Sequence, residues 1–161
     1  MNKESFGWKM AKCSEIAYLD GKKAKPEYKK LGFSRHKYFD VDGAQAHATY
    51  DRDWFVLAFR GTEVKSWSDI KADLNVDSVN AKHTYGRVHE GFQNEVDKLW
   101  VDIREYVLKQ LKGRKFVVTG HSLGASMATI VAARFNTAGF DIDGLYTYGS
   151  PRVGNEYFKR S

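Results

Sequence analysis

Ser122 sits at the centre of the pentapeptide Gly120-His121-Ser122-Leu123-Gly124, a spacing suited to presenting a serine hydroxyl as an acyl-accepting nucleophile. The chemistry needs a sharp turn, because a serine in a relaxed loop is neither exposed on one side nor backed by backbone donors. Glycines on either side let the entering and leaving segments approach closely. The amide of Leu123 would then stand at a helix N-terminus, where an oxyanion formed from an ester carbonyl is favoured.

That turn works only between a strand and a helix, and the flanking residues predict both. Phe116-Val117-Val118-Thr119 is a β-branched run, and Ala125-Ser126-Met127-Ala128-Thr129 opens a small-residue helix expected to reach about Asn136. Upstream, Phe6, Met10, Cys13, Ile16 and Ala17 recur at helical spacing over residues 4–19, and a lysine-rich connector follows. Asp42-Gly43 marks a hairpin between Tyr38–Val41 and Ala46–Tyr50. The almost wholly apolar Trp54–Phe59 reads as a central strand. Phe92, Val96, Leu99, Trp100, Ile103, Tyr106, Val107 and Leu111 define a long helix over 90–111, closed by Gly113. Gly144–Gly149 is the last strand. Strands alternating with helices predict an α/β fold with a mostly parallel sheet, helices on both faces and an antiparallel hairpin at one edge.

Composition bounds the alternatives. A chain of 161 residues is expected to form a single domain, and 42% hydrophobic residues suffice for a core. One cysteine, Cys13, excludes an intramolecular disulfide and leaves no zinc-type spacing. Acyl transfer by a serine implies no metal or organic cofactor. The net charge of +6 raises the question of nucleic acid, but the one basic cluster (Lys22, Lys23, Lys25, Lys29, Lys30) lacks interleaved aromatics. It reads as a solvated face, with attraction to anionic lipid headgroups as the second reading and no nucleic-acid partner. Neither a signal peptide nor a membrane-spanning segment is legible, so a cytoplasmic location is the default expectation.

Five strings together extend the argument beyond the serine turn: Phe59-Arg60-Gly61-Thr62-Glu63, Ser68–Leu74 (SDIKADL), His89-Glu90-Gly91-Phe92, Thr119–Gly124 (TGHSLG) and Tyr148–Asn155 (YGSPRVGN). In order and spacing over roughly residues 55–155, the chain resembles the class 3 (fungal-type) lipases. The resemblance implies an α/β-hydrolase fold and hydrolysis of acylglycerol-type lipid esters through an acyl-enzyme. It implies Ser122 as nucleophile, and the oxyanion-hole donors as Thr62, by its backbone N–H and hydroxyl, and Leu123, by its backbone N–H. Thr62 also follows the carboxyl end of the central strand, where open α/β sheets place their sites. His89 is implied to be structural, opening the long helix. Asp69 and Asp73 are implied to hold the loop after the oxyanion strand. The lid over the acyl pocket is implied to come from Glu63–Val88, where Trp67, Ile70, Leu74, Val76 and Val79 would share one side of a short helix or pack in the core. His121, Arg152 and Asn155 read as packing or local hydrogen-bonding residues.

One part of the family pattern is missing. The family's triad runs serine, acid, histidine along the chain, and the five histidines here are His36, His47, His83, His89 and His121, none beyond the serine. Asp141 and Asp143 precede the last strand, at the wrong edge of the sheet, and Glu156 is the only later acid. Without a base a serine hydroxyl keeps its proton, and the residual rate falls to about a thousandth of a percent of a full triad's, or less. Three expectations follow. The chain is the truncated amino-terminal part of a longer enzyme, with the acid and histidine on a further segment or a second chain. Alternatively His83 or His89 is recruited as base. Otherwise the fold binds acyl ligands or a partner protein without catalysis.

Overall fold

A computed structural model describes residues 5–61 and 78–160. The chain begins with helix α1 (Phe6–Ile16), capped by Ser5, whose hydroxyl accepts from the Trp8 amide. Helix α2 (Gly21–Lys30) follows where the sequence suggests only a connector. Two features make it helical despite Pro26. The Asp20 carboxylate accepts from the amides of Lys22 and Lys23. Ala24 and Tyr28, four residues apart, are buried, and the Tyr28 hydroxyl donates to the Cys13 carbonyl. The five lysines form its exposed face.

Strands β1 (Arg35–Val41) and β2 (Ala44–Tyr50) make the expected hairpin, with Asp42 and Gly43 both at positive φ (48° and 81°) as a two-residue primed turn demands. Strand β3 (Trp54–Phe59) is central, as its continuous apolar run predicts. After it come a small antiparallel pair, β4 (Ser78–Asn80) and β5 (Arg87–His89), then the long helix α3 (Glu90–Gln110). Strand β6 (Lys115–His121), helix α4 (Leu123–Thr137), strand β7 (Gly144–Tyr148) and a short helix α5 (Glu156–Lys159) complete the order. The β4–β5 pair and α5 are too short for sequence periodicity to reveal.

The main sheet runs β1-β2-β3-β6-β7. Pairings of β1 with β2 and of β2 with β3 are antiparallel, while β3–β6 and β6–β7 are parallel. Only β2 therefore opposes the common direction, and the sheet is mostly parallel with the hairpin at one edge.

The two-residue period of the strands sorts the core onto two faces. Phe55, Leu57 and Phe59 of β3, with Phe116 and Val118 of β6, pack toward α3 and α4 beside Leu99, Ile103, Met127 and Phe135. Val56, Ala58 and Val117 face α1 and α2 beside Met10, Cys13 and Tyr28. Both faces are thus covered, which makes the near-continuous apolar strands stable.

Candidate active site

In the parallel register Ala58 lies beside Thr119 and Phe59 beside Gly120, so β3 and β6 end level with each other. Directly beyond those ends stand Arg60-Gly61 and His121-Ser122. The backbone of Ser122 has φ 57° and ψ −125°, a conformation rare for any residue with a side chain. It links the last residue of β6 to the first turn of α4. The Ser122 amide donates to the Tyr148 carbonyl at 2.9 Å, tying the turn to the end of β7. Glycines permit the tight passage: a methyl on Gly120 would overlap the Gly124 carbonyl, and one on Gly61 would reach within 2.5 Å of the His121 carbonyl. Strand end, serine turn and helix start therefore touch through bare backbone.

The Leu123 amide opens α4, while the Ala125 and Ser126 amides behind it already donate to the Ser122 carbonyl; a leading N–H such as that of Leu123 has no acceptor within its own helix. Thr62 lies outside the described residues, as do Asp69, Asp73, Trp67, Ile70, Leu74 and Val76. Gly61, its neighbour, is held against the His121 carbonyl side of the turn and against the Tyr18 hydroxyl. Val79 stands on strand β4, paired with Val88, and not on a short helix.

The turn is backed by α1. Ser14 and Thr119 hydroxyls meet at 2.8 Å in a buried contact, and Thr119 also donates to the Tyr146 carbonyl at 2.9 Å. Tyr18 at the end of α1 meets His121 Nδ1 at 2.8 Å, so the histidine beside the serine is engaged behind the turn. The Tyr148 hydroxyl donates to the Gly7 carbonyl at 2.6 Å, and burial pushes its pKa up. Ser14 and Tyr18 escape the sequence analysis because each partner lies more than a hundred residues away, beyond the reach of any local pattern.

Ser122 itself is 3% exposed, and its Oγ has no hydrogen-bond partner among the described residues. The histidines are engaged elsewhere. His36 Nε2 and His47 Nδ1 meet at 2.9 Å, His83 stacks on Trp100, and His89 stands at the head of α3 with its ring stacked 4.3 Å from that of Phe92. Of the later acids, Asp143 accepts from the Phe116 amide at the amino edge of the sheet, and Glu156 pairs with Lys159. Asn155 caps α5 and also accepts from the Arg87 amide, while Arg152 donates to the Gly154 carbonyl. These are the local roles expected of them. The His89 amide donates to the Val153 carbonyl, which joins the His89–Phe92 string to the Tyr148–Asn155 string.

Comparison with known proteins extends this picture. A family model described as Lipase (class 3) matches residues 56–161. Secreted mono- and diacylglycerol lipase 1 of Fusarium solani is 47% identical over 121 residues, covering 72% of this chain and 35% of that protein. Secreted mono- and diacylglycerol lipase A of Penicillium camembertii is 38% identical over 109 residues, covering 62% of this chain and 33% of its own. The chain thus spans about a third of the length of the curated relatives it matches. Among solved structures, the triacylglyceride lipase of Rhizomucor miehei superposes with a TM-score of 0.74 at 22% identity, over 93% of this chain and 63% of that one. Lipase II from Rhizopus niveus does so with a TM-score of 0.74 at 22% identity, over 92% and 63%. At such identity the likeness is one of fold, and it is the α/β-hydrolase fold. The family model covers well over half of the chain and takes in the strand end, the serine turn and the segment after β7, so this chain belongs to the class 3 lipase family.

Proposed function

We propose that this chain is the nucleophile-bearing part of a serine carboxylic-ester hydrolase, acting on acylglycerol-type lipid esters. It would be a partial α/β-hydrolase domain whose acid and histidine come from a further carboxyl-terminal segment or a second chain. The observation that carries the proposal is the strained backbone of Ser122 at the head of α4, with its Oγ buried and without a hydrogen-bond partner among the described residues. A fold tolerates such strain where the geometry serves chemistry. The names of the relatives, mono- and diacylglycerol lipases, supply the substrate class.

In this reading Ser122 Oγ attacks the ester carbonyl as the supplied histidine takes its proton. The oxyanion of the tetrahedral intermediate accepts from the backbone amides of Leu123 and Thr62, with the Thr62 hydroxyl as a further donor. Collapse expels the alcohol, which takes the proton, and water then releases the acid from the acyl-enzyme. No cofactor enters. The lysine face of α2 would draw the molecule toward an anionic lipid surface, and no nucleic acid is involved. Among the described residues no helix is long and apolar enough to cross a membrane. The cytoplasmic expectation rests on the sequence alone, and the two relatives named above are called secreted.

Fluorophosphonate labelling, read as adduct mass at Ser122 with Ser122→Ala as control, tests the proposal. The chain alone should label slowly, and stoichiometrically within minutes once the carboxyl-terminal segment is supplied. Rapid labelling of the chain alone would instead point to a base within it, to be sought by alanine at His83 and His89. No labelling in either arrangement would leave the binding-module reading, a fold that holds acyl ligands or a partner without catalysis.

A further inference from the structure

Away from the serine turn, an open groove of about 740 Å³ lies between α3, the end of α4 and the β4–β5 connection. Arg134 lines it, twelve residues along α4 from Ser122 and therefore about 18 Å away along the helix axis. Its side chain is fully buried, yet Nε and Nη1 have no hydrogen-bond partner among the described residues. Only Nη2 is engaged, with Asp97 Oδ1 at 2.6 Å. The other oxygen of Asp97 accepts from Lys82 at 2.6 Å, so one carboxylate serves two cations. Burial acts to raise the Asp97 pKa, but those two bonds outweigh it and hold the carboxyl below its ordinary range. The guanidinium is thus a desolvated cation with half a counter-ion and two idle donors, a costly state that an anion would relieve.

The surroundings say which anion. The guanidinium lies 5.1 Å from the centroid of Trp100, whose ring also stacks with His83. Val101 and Tyr85, which line the same groove, are 63% and 69% exposed and give it an apolar wall open to solvent. Arg104 adds a second cation at the rim and Glu105 an anion. With Asp97 and Glu105 already present, a dianionic phosphate would meet repulsion, whereas a single carboxylate completes the charge balance. We propose that this groove binds a monocarboxylate with an apolar body, fatty-acid-like in class, its carboxylate on Arg134 and its body along Trp100, Val101 and Tyr85. The site is separate from the ester-cleaving one, and nothing in it depends on the role given to Ser122.

The test follows the Arg134 Nε–H signal in proton–nitrogen correlation spectra of the intact chain, assigned by its loss in Arg134→Lys. Octanoate should move it saturably, while acetate, octan-1-ol and inorganic phosphate should not. Because Arg134 is buried and its variants are at risk of misfolding, Val101→Glu, at an exposed position, provides the second arm. It should weaken octanoate about tenfold or more by placing a like charge beside the ligand. A signal unmoved by octanoate, or moved equally by any of the three controls, would overturn the proposal, as would unchanged affinity in Val101→Glu.

Discussion

Gly124 packs against the carbonyl of Phe59, so closely that a methyl group on its Cα would overlap that oxygen and come within 2.9 Å of the Arg60 carbonyl carbon. The last residue of the central strand and the second residue of α4 are therefore held apart by nothing but hydrogen. This contact sets the distance between the serine turn and the strand end that leads into Thr62.

Gly124→Ala should accordingly cost about 2–3 kcal/mol, since backbone on both sides must give way. Chemical denaturation measures the loss. Under the proposed function, labelling of Ser122 should fall as well, because the shift moves the serine turn away from the strand end that leads into Thr62, the proposed second oxyanion donor. A variant of unchanged stability and labelling would show that the contact is slack.

Ser122→Gly should stabilise the fold while abolishing labelling. Glycine adopts φ 57° and ψ −125° without a Cβ clash, which relieves about 1–3 kcal/mol of strain against about 0.5–1 kcal/mol of added chain entropy. Ser122→Ala keeps the clash, so the gap between the two variants' midpoints reports the strain less the added chain entropy of glycine. If the alanine variant proves the more stable, the strain stored in the turn is smaller than the entropy cost of glycine.

His36 and His47 should make stability fall with acid. Burial holds both imidazoles down, assisted by Lys25 for His36 and by His36 for His47, to about 4 and about 3. The unfolded chain titrates near the ordinary histidine value, about 6.5. Between that value and the folded ones, the unfolded state binds protons that the folded state refuses, so stability is complete above about pH 6.5 and drains as pH falls. At pH 5 the buried His47 accounts for about 2 kcal/mol of loss and the half-exposed His36 for less. Urea midpoints at pH 7, 6 and 5 check this, and His47→Gln should flatten the slope.

Cys13 should resist thiol reagents in the native state. It is fully buried in α1, and burial pushes its thiol up to about 12, with Lys9 acting weakly the other way. Almost no thiolate then exists at neutral pH, and thiolate is the reactive form. Reaction with a disulfide reagent should be slow until urea is added and prompt afterwards. Prompt native reaction would mean that α1 opens readily.

Where the signal was local, the sequence by itself determined the outcome. The Asp42-Gly43 turn, the apolar run of β3, the spacing of Phe92 through Val107 and the strand–turn–helix around Ser122 each carry their structure in neighbouring residues, through turn chemistry and periodicity. The five strings also determined the family. Helix α2 was masked by its lysines and Pro26, because its burial depends on just Ala24 and Tyr28. Only the tertiary structure decided that Tyr18 engages His121, that Ser14 braces Thr119, that Gly124 abuts Phe59 and that Arg134 is buried with idle donors. Each of those depends on which elements the sheet order and the helix packing bring together, a matter settled by burial summed over the whole chain and left unmarked in any short stretch of it.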